Sequence, residues 1–111
     1  MKIYYRSRKL GKICNSEKES VKAYGTQGGR KLQQRLSELK AADSLAVIST
    51  LPPPRCHELT ANRKGQLSID LQHPYRLIFI PANDPVPRKT DYGLDWSLVT
   101  EIEIIDITDT H

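Results

Sequence analysis

The sequence predicts an α+β fold in which N-terminal helices pack on one face of a small, mainly antiparallel twisted sheet. Three observations carry this prediction. Before Pro52-Pro53-Pro54 the apolar residues recur at helical spacing, whereas beyond it the period drops to two. The alternation is cleanest in Gln66-Leu67-Ser68-Ile69-Asp70-Leu71, where polar and apolar residues exchange without exception. With 111 residues, 38% hydrophobic and 27% charged, there is apolar material for one modest core, and so for one domain spanning 1–111.

In chain order, Lys2 to Tyr5 is β-prone at Ile3, Tyr4 and Tyr5 and opens the fold as a short strand. Ser7 is placed to cap a brief helix ending at Cys14, with Leu10, Ile13 and Cys14 on its apolar side. Ser16 followed by Glu19 is a capping box, with Val21 and Tyr24 as the buried face of the helix it starts. Gly25 supplies the left-handed residue that ends that helix. Thr26 then caps the longest helix, to about Ala42, along the apolar line Leu32, Leu36 and Leu39; Lys31, Arg35, Glu38 and Lys40 fall on its other faces. Asp43 caps a last short turn that the prolines terminate.

The strand region opens with His57-Glu58-Leu59-Thr60, turns at Ala61 to Gly65, and continues through 66–71. Gln72-His73-Pro74 turns the chain again into Tyr75 to Ile80, which completes a three-stranded meander. Residues 81–97, with three prolines, three aspartates and a glycine, form a connection long enough to be either functional or mobile. Leu98 to about Ile107 is the last strand. Its apolar register shifts between Ile104 and Ile105, as a bulge or burial on both faces would require.

The formal charge of +4 conceals a division: residues 1–64 sum to +9 and residues 65–111 to −5. Such asymmetry favours a polyanionic partner, nucleic acid above all, over a merely solvated basic face. The longest apolar runs, Leu45 to Ile48 and Leu77 to Ile80, are far too short for a membrane span, and Met1 to Arg6 has no signal-peptide character. Cys14 and Cys56 lack metal-ligand spacing and read as reduced thiols of a cytoplasmic protein. Zinc sites, disulfide scaffolds and membrane spans are thereby set aside.

Three groups could carry chemistry. Asp109-Thr110-His111 places an imidazole beside its own α-carboxylate, which favours the protonated ring, with an acid two positions earlier to orient it. Arg76, between apolar neighbours, needs a partner: it either forms an ion pair with Asp70 or a C-terminal acid, or points into a cleft to hold a phosphate. Asn62-Arg63-Lys64-Gly65, with His57 nearby, is a basic hairpin tip that matters if it flanks the same cleft. Cations and imidazoles, with neither an acid pair nor a metal cluster, suit one reaction well. In metal-free RNA cleavage the ribose 2′-OH attacks the adjacent phosphate, a base takes its proton, and arginine stabilises the phosphorane.

Arg55-Cys56-His57-Glu58-Leu59, then Asn62-Arg63-Lys64-Gly65, Leu67-Ser68-Ile69, Tyr75-Arg76-Leu77-Ile78-Phe79 and the final Asp109-Thr110-His111 form an ordered series. That series, preceded by Lys31-Leu32-Gln33-Gln34-Arg35-Leu36, resembles the HigB branch of the RelE/ParE toxin superfamily along nearly the whole chain. The resemblance implies a RelE-like fold and a toxin that cleaves mRNA on the translating ribosome with no cofactor. It also implies a helix-turn-helix antitoxin of the HigA type, through which alone the toxin would reach operator DNA. Carried over by position, Arg76 contacts the scissile phosphate, His111 is the general base, Asp109 is the acid beside it, and Arg63 belongs to the RNA-facing hairpin. Lys64 and His57 join it as RNA-binding candidates.

Thr60 stands where members of the branch often have lysine, Thr110 where many have an aromatic residue, and Leu67 where another has tryptophan. Losing a cation from such a site costs orders of magnitude in rate, so a weak or context-dependent toxin is expected. Two alternatives share the scaffold: a ParE-like inhibitor of DNA gyrase that performs no chemistry, and an RNA- or ribosome-binding module with vestigial catalysis.

Overall fold

A computed structural model of the chain describes residues 1–49 and 56–109. Pro52-Pro53-Pro54, Arg55, Thr110 and His111, all used in the sequence reading, lie outside the described residues. In order, the elements are β1 (Lys2–Tyr5), α1 (Arg8–Cys14), α2 (Glu17–Ala41), α3 (Leu45–Ser49), β2 (His57–Glu58), β3 (Leu67–Asp70), β4 (Tyr75–Pro81) and β5 (Glu101–Asp109). Short 3-10 turns at Ala61–Arg63 and Trp96–Leu98 join them. The strands form one five-stranded sheet in the order β1-β5-β4-β3-β2. Every pairing is antiparallel except β1 with β5, which is parallel. The expected α+β architecture is present, meander included.

The helical caps form where the serines stand. Ser7 Oγ accepts the Leu10 N–H at 3.1 Å and Ser16 Oγ accepts the Glu19 N–H at 3.2 Å, each satisfying a donor left over at a helix start. Gly25 interrupts α2 with φ 80° and ψ 173°, a conformation open essentially to glycine alone. The helix therefore breaks where expected, and the chain folds back on itself. A Cβ built on Gly29 would lie 2.6 Å from the backbone nitrogen of Val21 and 2.7 Å from its Cα, so the two halves of α2 cross backbone against backbone.

Polar bonds fix that crossing. Ser20, fully buried, donates its hydroxyl to the Ile13 carbonyl at 2.6 Å. Gln33 Nε2 donates to Ser20 Oγ at 2.8 Å and to the Cys14 carbonyl at 2.9 Å. One amide thus ties the end of α1 to both halves of α2. Ser20 is more deeply buried than Val21 or Tyr24, the residues expected on that face, because the crossing needs a small side chain there.

The crossing directs Leu32, Leu36 and Leu39 onto the sheet, where they meet Leu67, Ile69, Leu77, Phe79, Ile102 and Ile104, all at most 1% exposed. Burying side chains of this size stabilises by roughly 1.5–3 kcal/mol each relative to exposure. Because strand residues alternate between faces, Ser68, Asp70, Arg76, Ile78 and Thr108 have the opposite parity and lie on the face away from the helices.

The last strand contains the expected irregularity: Phe79 pairs with Ile104 and Ile78 with Asp106, so Ile105 is the extra residue of a bulge. It begins at Glu101 rather than Leu98, since Asp95 caps the Trp96–Leu98 turn by accepting the Ser97 N–H at 3.2 Å. The first meander strand is likewise shorter than expected, ending at Glu58.

The long connection at 81–97 is a built structure. Arg88 pairs with Leu94 as an isolated bridge, and Leu94 is buried in the main core together with Val99. Asn83 Oδ1 accepts the N–H groups of Thr100 and Glu101 at 3.1 and 3.2 Å, fastening the connection to the start of β5. It closes the end of the core that the helices leave uncovered.

Three glycine substitutions should separate the causes described here. Gly29→Ala is expected to destabilise by several kcal/mol through a backbone clash, and Gly25→Ala by about 1–3 kcal/mol through strained φ/ψ. Gly11→Ala, whose new Cβ would meet Tyr5 at an ordinary 3.7 Å, should be neutral or stabilising by up to about 1 kcal/mol. Urea denaturation of the three variants measures this order.

Burial also pushes the Cys14 thiol up from 9.0 to about 11 and the Cys56 thiol from 9.0 to about 12. Unfolded thiols ionise near pH 9.0 while the folded ones keep their protons, so stability that is full below pH 9.0 should fall as the pH rises towards 11. Denaturation series across that range should show the fall, and Cys14→Ala should flatten it.

Candidate active site

Arg76 and Asp70 are direct cross-strand partners on β4 and β3, with Arg76 Nε 3.3 Å from Asp70 Oδ1. Of the two environments open to Arg76 in the sequence, the ion pair with Asp70 is therefore formed. The Arg76 side chain is 14% exposed and that of Asp70 25%, and their contacting atoms are buried, so the pair is half-buried on the face away from the helices. Thr108 on β5 is the third member of the same rung.

The Asp70 backbone is held from the other side of the sheet. Arg35, 3% exposed, donates Nε–H to the Asp70 carbonyl at 3.1 Å, while its Nη1 is 2.8 Å from Glu38 Oε1. The sequence reading put Arg35 on a face other than the apolar line; in the structure that position is buried. It follows Gln34 and precedes Leu36 on a helix laid flat against β3, so its stem is buried with the leucines and its charge is neutralised by Glu38 one turn away. The only sequence signal was the Arg-x-x-Glu spacing, which also describes any exposed helical pair.

One rung along the same face, His57 on β2 pairs with Ser68 on β3 and Ile78 on β4. Ser68 Oγ and His57 Nε2 are 3.5 Å apart, at the outer limit of a hydrogen bond. Ser68 is fully buried, so the hydroxyl and ring steady each other beneath the surface. His57 and Arg76 thus share one face, on strands separated by β3.

Arg63 and Lys64 do not join them directly. They occupy the β2–β3 turn, where Arg63 Nη1 donates to Gln66 Oε1 at 3.0 Å and Gly65 turns the chain with φ 90°. Asp70 lies at the far end of β3, four residues beyond Gln66, or about 14 Å along a strand. The basic turn and the Arg76 rung therefore mark opposite ends of one strip, with His57 between them.

Asp109 pairs with Tyr75 rather than with Arg76, so strand alternation gives it the parity of the helix-covered face. The structure places it one position along from the Arg76 rung without bringing the two carboxylate and guanidinium positions onto one face. His111 and Thr110 lie outside the described residues. His73, in the turn just before Tyr75 and Arg76, stands at this end of the sheet and was not singled out by the sequence, where it read only as part of a turn.

In fold, the chain is similar to the YoeB/ParE toxin from Agrobacterium tumefaciens, with a TM-score of 0.60 over 100% of both chains and 10% sequence identity. No family model and no curated protein matches the sequence. At this identity the likeness establishes the fold: helices against a five-stranded, mostly antiparallel sheet. No helix among the described residues is long and apolar enough to cross a membrane.

The two arginine pairs should differ sharply in their contribution to stability. Arg35→Met removes the donor to a β3 carbonyl and leaves Glu38 without its partner, and is expected to cost about 2 kcal/mol or more. Arg6→Ala breaks only the exposed pair with Glu103, Nε to Oε2 at 3.1 Å and Nη2 to Oε1 at 3.3 Å, and should cost under about 1 kcal/mol. Thermal and chemical denaturation of both variants tests the contrast.

Proposed function

We propose that this chain is the toxin of a type II toxin–antitoxin system: a metal-independent endoribonuclease that cuts mRNA on the translating ribosome in the cytoplasm. A helix-turn-helix antitoxin of the HigA type would neutralise it and carry it to operator DNA. The observation that supports this reading best is the placement of a partly exposed Arg76 on the sheet face away from the helices, on the fold of a known toxin.

In this reading the substrate backbone runs along the strip from the Arg63–Lys64 turn past His57 to Arg76. The turn supplies charge that attracts phosphates and steers the encounter without reading sequence. At the scissile position Arg76 donates to the non-bridging oxygens, whose charge grows as the 2′-OH attacks, and binds the transition state more tightly than the ground state. His111 takes the 2′-OH proton, with Asp109 as the acid beside it, following the roles implied by the sequence resemblance. His57, already on the same face, contacts RNA.

Inducing the chain alone and mapping mRNA 5′ ends by primer extension should reveal cuts that appear only in translated messages. Arg76→Ala should lower cleavage roughly 10²–10³-fold, and His111→Ala roughly 10²–10⁴-fold, both with folding intact. Full toxicity of both variants would remove these residues from the mechanism. Loss of gyrase supercoiling on adding the protein, with mRNA intact, would favour the ParE-like alternative.

A further inference from the structure

We infer that Asp70 is a built-in counter-anion that restrains Arg76 in the free protein and must yield it to the RNA phosphate. The inference deepens the nuclease reading and rests on it for the identity of the anion. Asp70 and Arg76 occupy one cross-strand rung, and the carboxylate oxygen lies 3.3 Å from Nε of the guanidinium. An arginine fork recognises carboxylate and phosphate through the same N–H donors, so the two anions compete for one cation.

The carboxylate is also unusually well anchored for a surface acid. Its own backbone carbonyl is gripped by the buried Arg35, and its neighbour Ile69 is fully buried in the core. Because the β3 backbone is pinned from beneath, the exchange must be made by side-chain rotation. The contacting atoms, Asp70 Oδ1 and Arg76 Nε, are buried, while each side chain keeps part of its surface exposed, 14% for the arginine and 25% for the acid. Until that exchange, the rung presents no net charge, although it lies in the half of the chain that sums to −5.

Restraint of this kind has a functional meaning. Loose RNA, held only by weak contacts, cannot displace the carboxylate. A strand already positioned by other contacts brings its phosphate at high local concentration and takes the arginine over. Asp70 thereby sets selectivity between free and presented RNA, while Arg76 remains the group that touches the phosphate.

The test uses the full chain and a short single-stranded RNA made uncleavable by 2′-deoxy substitution, with binding followed by fluorescence anisotropy at low salt. Asp70→Asn keeps the side chain's size and a hydrogen-bond acceptor for Arg76 while removing the charge. It should tighten binding about tenfold, the scale expected when one like charge beside a phosphate is removed. Arg76→Gln should abolish that gain in the double variant, and circular dichroism should show all variants folded. Asp70→Thr, a strand-forming residue, serves if the asparagine variant is unstable. Unchanged or weaker binding by the charge-neutral variants, or a gain that survives Arg76→Gln, would overturn the inference. Failure of the nuclease reading looks different: wild-type protein would leave translated mRNA intact while the binding series kept its order.

Discussion

The structure depends on one close approach, the crossing of α2 upon itself at Gly29 and Val21. The two helical segments can come this near because Gly29 has no Cβ to strike the Ser20–Val21 backbone, and Ser20 buries only a small side chain there. Gly25 makes the reversal conformationally accessible, and Gln33 locks it by bonding both Ser20 and the end of α1. From that crossing follows the direction of the second half of α2, and from that direction the placement of Leu32, Leu36 and Leu39 over the sheet. Arg35 rides on the same segment, so the crossing also determines where β3 is gripped. The site on the far face is therefore positioned through the sheet, from helix backbone to buried arginine to Asp70 to Arg76.

Much of this was legible in the sequence where the cause is local. Ser7, Ser16 and Gly25 act within a few residues of themselves, and the caps and the helix break lie where they predict. The alternation in 66–71 and the slip after Ile104 are likewise written in neighbouring residues, and β3 and the bulge appear there. What the sequence withheld is non-local. Nothing in Gly28-Gly29 names Val21 as the backbone they meet, and nothing in Ile3-Tyr4-Tyr5 chooses a parallel partner nearly a hundred residues away. The polar composition of 81–97 hides that Leu94 is a core residue, because a lone buried side chain in a hydrophilic stretch forms no period.

The candidate site divides in the same manner. Arg76 was legible because a charge within an apolar strand demands a partner, and Asp70 is that partner. The separation of the Arg63–Lys64 turn from the Arg76 rung was not, since adjacency within a hairpin says little about distance along it. Strand parity distinguishes Asp109 from Arg76 only once the bulge and the Tyr75 register are known. The charge division gains a structural sense here. The basic excess belongs to the helices and first hairpin, whereas the rung bearing Arg76 is neutral by construction.

The parallel pairing of β1 with β5 has a consequence for the order in which the chain can mature. Among the described residues, Lys2 to Tyr5 pair only with Glu101 to Ile104, so the ladder joins segments nearly a hundred residues apart. Contacts of such long sequence separation form late and slowly. During synthesis β1 has nothing to pair with, β4 lacks one neighbour, and Thr108 is missing from the Arg76 rung. A growing chain therefore carries its arginine on an unfinished sheet until β5 has been made.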